Sequence, residues 1–216
     1  MTTINYDTSK FPFKELVRTS LKTKSIAFIH QQDGFSYLNK FERKNDQSTH
    51  YHKLFYDFAR TSEFKLLYLE FIKNVVKPLF GEEIVFQKIP TFRLHFPGNI
   101  AVGEFHRDRD YRDLEWAKRV NEVNFFLPIT DAFRTNTIWV ESEEGMEDFS
   151  PINAEYGQIV MWDGSNLLHG NKINEEASTR VSFDFRVMPF SRYEPSDKGS
   201  INMNSKFGLD GYYDKI

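Results

Sequence analysis

Apolar residues along positions 47–80 recur at three- and four-residue spacing: Tyr51, Leu54, Phe55, Phe58, Phe64, Leu67, Tyr68, Phe71, Ile72 and Val75. That period gathers them on one face of a helix, and Pro78 followed by Gly81 closes the segment. Thr61-Ser62-Glu63 in its middle reads as the cap of a second helix, so the block divides in two. After Gly81 the period changes to two. Ile84-Val85-Phe86, Thr91 to Phe96, Val120 to Leu127, Thr137 to Val140, Gln158 to Trp162 and Arg180 to Val187 are short runs rich in β-branched and aromatic residues. Clusters of Gly, Pro, Asn and Asp separate them, as between strands. A helical block followed by short strands predicts one mainly β domain with flanking helices. Six or more strands within about 110 residues suit a double-stranded β-helix, the jelly-roll or cupin-like arrangement. The expected layout is a mostly helical part over about residues 1–80, a jelly-roll core over about 84–190, and a tail over 191–216. Phe207, Tyr212 and Tyr213 can anchor that tail, which reads equally as a docked segment, a lid or a dimer arm.

One run has two contrasting faces. Val181, Phe183, Phe185 and Val187 share one side of the last strand, and Arg180, Ser182, Asp184 and Arg186 share the other. A polar face of this kind is either a solvated outer surface or the lining of a polar interior.

Composition narrows the chemistry. The chain has 216 residues, 40% of them hydrophobic and 22 of them Phe, which suits a globular core rather than disorder. A formal charge of −3 and scattered basic residues speak against nucleic acid or an anionic membrane as partner. With no Cys, any metal must be held by His, Asp or Glu, which suits Fe(II), Mn(II) or Zn(II). The first residues lack the apolar core of a signal peptide, and no run approaches the length of a spanning helix. A cytoplasmic protein is expected, with the oligomeric state open.

His106-Arg107-Asp108 offers an imidazole and a carboxylate on one side of an extended segment. Taken alone the pair says little, because a chain with 6 His and this Asp content carries about 0.4 such pairs by chance. Its weight comes from His169, which follows the turn Asp163-Gly164 and can sit at a strand mouth, and from Arg180, another 11 residues on. Two His and one Asp leave coordination positions open, as in non-haem Fe(II) oxygenases. A planar guanidinium with a neighbouring hydroxyl, Arg180 with Ser182, is a natural receptor for a carboxylate.

These elements together resemble the Fe(II)/2-oxoglutarate-dependent dioxygenase superfamily. The strings Asn124-Phe125-Phe126-Leu127-Pro128, Asn136 to Ser142, His169-Gly170-Asn171 and Arg180 to Arg186 resemble the branch that contains a streptomycin-biosynthesis oxygenase. The resemblance covers about residues 91–190. It implies iron bound by His106, Asp108 and His169, and 2-oxoglutarate anchored by Arg180 and Ser182. It also implies O₂ as co-substrate and succinate and CO₂ as co-products. The branch resemblance implies a small-molecule substrate of specialised metabolism, hydroxylated or otherwise oxidised at a C–H bond. Arg186, Arg109, Asn124 and Trp139 are candidate substrate contacts, with Arg112 a second candidate at the mouth. Two other readings remain: a jelly-roll sensing protein whose metal site is vestigial, and a non-oxidative Zn or Mn enzyme of the same fold. Neither needs a buried carboxylate receptor at Arg180. His50 and His52 read as surface histidines near a helix start, His30 as structural, and His95 as either cavity-lining or exposed.

Overall fold

The computed structural model describes residues 1–32, 47–102, 104–196, 198–200, 205–209 and 211–216. Part of the tail (197, 201–204 and 210) lies outside them. The chain opens with β1 (Thr2–Asn5) and α1 (Phe13–Ser20), neither of which the hydrophobic pattern announces. The long periodic block is two helices, α2 (His50–Ala59) and α3 (Ser62–Phe71), followed by a π-helical turn, Ile72–Val76, and a 3-10 turn, Lys77–Leu79. Thr49 and Thr61 cap the two helices by accepting from the backbone N–H of His52 and Phe64.

Strands β2 (Ile84–Gln87) and β3 (Thr91–His95) follow, then α4 (Leu114–Val120), β4 (Val123–Pro128), β5 (Ile138–Val140), β6 (Ser150–Pro151), β7 (Gln158–Trp162), β8 (His169–Asn171) and β9 (Arg180–Pro189). The tail adds β10 (Gly199–Ser200), β11 (Ser205–Lys206) and β12 (Tyr213–Lys215). Val120, expected to begin a strand, instead ends α4. Asp113 caps that helix, and Asn121 closes it in the left-handed region at φ 48°.

All strand pairs are antiparallel. The larger sheet runs β1-β7-β4-β9-β2-β12, and β3 pairs with the first half of β9 while β2 pairs with its end. A smaller sheet runs β6-β5-β8. The faces of β9 separate cleanly. Val181, Phe183, Phe185 and Val187 join Phe125 and Leu127 of β4 in a core under α1, α2 and α3. The opposite face turns toward the smaller sheet, which packs on Phe126, Val160 and Trp162 through Ile138, Val140 and Ile152. The polar face of β9 is therefore interior, not a solvated surface.

Phe183 is the ring on which the helices close, within 5.1–5.8 Å of Phe13, Phe55 and Phe64 between centroids. Phe183→Ala should cost about 3–5 kcal/mol of stability, read from the urea midpoint. A loss below about 1 kcal/mol would mean that the helices are not held through this ring.

The tail is docked. Phe207, Tyr212 and Tyr213 are buried with Val85, Trp116, Val120 and Met188, and β12 pairs with β2. No helix among the described residues is long and apolar enough to cross a membrane.

Candidate metal and carboxylate site

His106 and His169 are brought together by backbone. The N–H of each donates to the carbonyl of the other, at 2.8 and 3.0 Å, which bridges the segment after β3 to the start of β8. The Nδ1 of His106 lies 2.8 Å from the Glu104 carbonyl and that of His169 2.9 Å from the Leu167 carbonyl. Those acceptors hold the proton on Nδ1 and leave each Nε2 lone pair for a ligand, as metal-binding imidazoles are commonly oriented. Asp108 opens a 3-10 turn, Asp108–Tyr111, and its N–H donates to the Gly164 carbonyl. Its Oδ1 lies 3.6 Å from His106 Nε2 and 3.9 Å from His169 Nε2. The three donor atoms all fall within 4.8 Å of one another, the only such set of three His, Cys, Asp or Glu groups among the described residues.

The electrostatics suit a cation. Burial alone would raise the Asp108 carboxyl, but Arg186, His106 and His169 together outweigh it and hold it well below the usual carboxylate range. Burial pushes the His169 imidazole down to about 4, so it is neutral and able to ligate at physiological pH. Two imidazoles and one carboxylate, with orienting acceptors already in place, fit Fe(II).

A cleft enclosing about 480 Å³, its open mouth included, runs from His106 and His169 to Arg180. Arg180 is only 1% exposed. Its Nε donates to the Asn136 carbonyl at 3.0 Å and its Nη1 to Ser182 Oγ at 2.6 Å. Burial lowers it to about 10, which still leaves it charged near neutrality. Among the described residues no carboxylate lies within ion-pair distance of it. A buried cation without a counter-ion is costly, and this one faces a cleft. His95 is fully buried beside it, both ring nitrogens near the carbonyls of Asn136 and Asn99, and does not line the cleft.

The expected substrate contacts divide. Arg186 and Asn124 line the cleft, but their donors are turned onto Asp108. Arg109 and Trp139 are not brought to the cleft. Arg109 is drawn outward to Glu144 and Asn166. Trp139 lies between the inward residues Ile138 and Val140, so strand alternation turns it away, where its indole donates to the Arg134 carbonyl under Lys172. Arg112 is buried against Glu122 and the Phe207 ring rather than standing at the mouth. His52, expected at the surface, is buried edge-on against Phe92 with Thr49 on its Nδ1, whereas His50 is exposed. His30 sits 2.8 Å from the Thr179 hydroxyl.

Glu141 is the residue that sequence reasoning missed. One of its oxygens accepts from Arg107, which lies between His106 and Asp108, and from the N–H of Leu168, which precedes His169. The other accepts from the N–H groups of Gly145 and Glu147. A single buried carboxylate therefore ties the segments that carry His106, Asp108 and His169 to one loop. Only the buried placement of an acid next to Val140 could have signalled it.

No family model matches the chain. Its fold is shared with the non-haem alpha-ketoglutarate-dependent carbocyclase SnoK from nogalamycin biosynthesis (TM-score 0.55, 13% identity, 98% of this chain and 90% of that one). It is also shared with the non-haem monooxygenase ThoJ in its apo form (TM-score 0.50, 10% identity, 88% and 73%). Fold and site together define a chain with the architecture of the non-haem 2-oxoglutarate enzymes and a His-Asp-His cluster set within it. The streptomycin biosynthesis protein StrG of Streptomyces griseus is 36% identical over 218 residues, spanning 100% of this chain and 98% of that protein. The chain belongs to the StrG family.

Proposed function

We propose that the protein is an Fe(II)- and 2-oxoglutarate-dependent oxygenase acting on a small molecule of specialised metabolism, and that its two sheets are the walls of a double-stranded β-helix. The observation that carries this reading is Arg180: a buried guanidinium with no carboxylate in contact among the described residues, in the same cleft as His106 and His169, whose imidazoles converge with the Asp108 carboxylate on one point. A dicarboxylic keto acid supplies what both ends lack, one carboxylate for Arg180 and a chelating group for the metal. The roles of StrG and SnoK in streptomycin and nogalamycin biosynthesis support a specialised-metabolism substrate.

Bound at His106, Asp108 and His169, Fe(II) would supply the one-electron and O₂ chemistry that side chains lack. The overall change is 2-oxoglutarate, O₂ and R–H to succinate, CO₂ and R–OH. This chain's residues bind and orient. The Ser182 hydroxyl oxygen accepts from Arg180, which leaves its proton to donate to the same carboxylate. Val102, Ile138 and Phe125 add apolar surface to the lining, which disfavours water there. Asp184 Oδ1 and Trp162 Nε1 are buried without partners beside the cleft, an acceptor and a donor that a hydroxylated substrate would satisfy.

Anaerobic calorimetry tests the reading. 2-Oxoglutarate should bind Fe(II)-loaded protein at least about tenfold tighter than metal-free protein, since a chelate adds to the carboxylate contact. Succinate should then accumulate in air when a substrate is supplied. Binding that is indifferent to metal would defeat the proposal.

A further inference from the structure

The two oxygens of Asp108 are treated differently. Oδ1 faces the two imidazoles. Oδ2 accepts three hydrogen bonds, from Arg186 Nε at 3.0 Å, Arg186 Nη2 at 2.7 Å and Asn124 Nδ2 at 2.7 Å. Arg186 and Asn124 stand directly opposite each other on β9 and β4, so the sheet register delivers both donors to one place. Gly164 leaves room for them: a Cβ there would meet the Asn124 amide nitrogen at 2.5 Å. Asp108 is also tethered through its backbone N–H to the Gly164 carbonyl, so backbone and side chain are fixed together.

We propose that Arg186 and Asn124 are positioning residues that clamp Oδ2 and so hold Asp108 as a one-oxygen metal ligand. The proposal rests on the reading of His106, Asp108 and His169 as metal ligands. A carboxylate can engage a cation through one oxygen or both. With three donors on Oδ2, rotation to a two-oxygen mode would break charge-assisted bonds in a buried site. The clamp thereby keeps free a coordination position that a two-oxygen carboxylate would occupy. Its donors are aimed at a point in space rather than at this residue, so they should hold any small carboxylate placed there.

Binding of Mn(II), followed by loss of the free-ion EPR signal, tests this without turnover. Asn124→Ala and Arg186→Gln should each bind Mn(II) about 10- to 100-fold more weakly than wild type. In the double variant the losses should not multiply, because both residues act on one oxygen. Asp108→Ala should lose binding and regain at least about tenfold of it with added formate, a free carboxylate for the clamp to seat. Formate should give no such recovery in Asp108→Ala/Arg186→Gln. A purely structural role for Arg186 would not distinguish those two proteins. If Arg186→Gln does not fold, Asn124→Ala and the formate arm on Asp108→Ala decide. Unchanged Mn(II) affinity in folded Asn124→Ala and Arg186→Gln, or equal formate recovery with and without Arg186, overturns the clamp alone. Wild-type protein that binds no Mn(II) overturns the metal reading and the clamp with it.

Discussion

Arg180→Ala is expected to weaken 2-oxoglutarate binding about 100-fold or more, which corresponds to about 2.7 kcal/mol. The guanidinium is fixed by Asn136 and Ser182 in the cleft, and Asp184, the acid that acts on it, is paired with Arg93 instead, so among the described residues no carboxylate touches it. A carboxylate seated on it would be desolvated, where charge-assisted bonds count most. Arg180→Lys should recover only part of the loss, since an ammonium cannot reproduce the planar fork. Fe(II) affinity should stay within about threefold of wild type in both variants, because Arg180 touches none of the three metal-type ligands. Anaerobic titration of all three proteins, with iron content checked in each, reads both quantities. A normal Kd in iron-loaded Arg180→Ala would remove the co-substrate assignment and revive a non-oxidative role.

His169→Ala should weaken Fe(II) and Mn(II) by more than about 100-fold, beyond the typical effect of an outer-shell partner. Removing this buried, neutral imidazole leaves one His and one Asp, and it vacates the ring that packs edge-on against Trp162 at 4.7 Å. Metal at about 100 times its Kd should stabilise wild type by about 2.7 kcal/mol, visible as a rise in Tm. The variant should show no metal-dependent rise. An equal rise in His169→Ala would take His169 out of the site.

Much of this was readable along the chain because it depends on local order. The helical period and the Thr61 cap define α2 and α3, and the alternation of β9 separates its two faces. The spacing of His106, Asp108, His169 and Arg180 anticipates residues that the fold then gathers: His106, His169 and Arg180 line one cleft, and Asp108 meets the two imidazoles. What was not readable depends on partners distant in sequence. β1 and β12 are short, largely polar edge strands, specified by pairing with β7 and β2 rather than by their own pattern. The charged run at 107–113 concealed α4, although Asp113 as a cap was available to be read. Arg186 looked like a substrate contact because it shares the polar face of β9 with Arg180, and Asn124 because its strand flanks the expected cavity. Only the register between β4 and β9 shows that both reach Asp108 first. Glu141 organises groups far from it in sequence and leaves no local motif.

The parity of β9 has a consequence for how this chain can diverge. Positions 181, 183, 185 and 187 of the strand face the helices and positions 180, 184 and 186 face the cleft, so substitutions there fall into two nearly separate alphabets. A change at 181, 183 or 185 is filtered by folding, whereas a change at 184 is filtered mainly by the molecule being recognised. Deleting one residue would exchange the two sets at a stroke, putting guanidinium groups among phenylalanines. The strand works as a reading frame of two, which tolerates a change of letter on one face without disturbing the other but does not tolerate a shift.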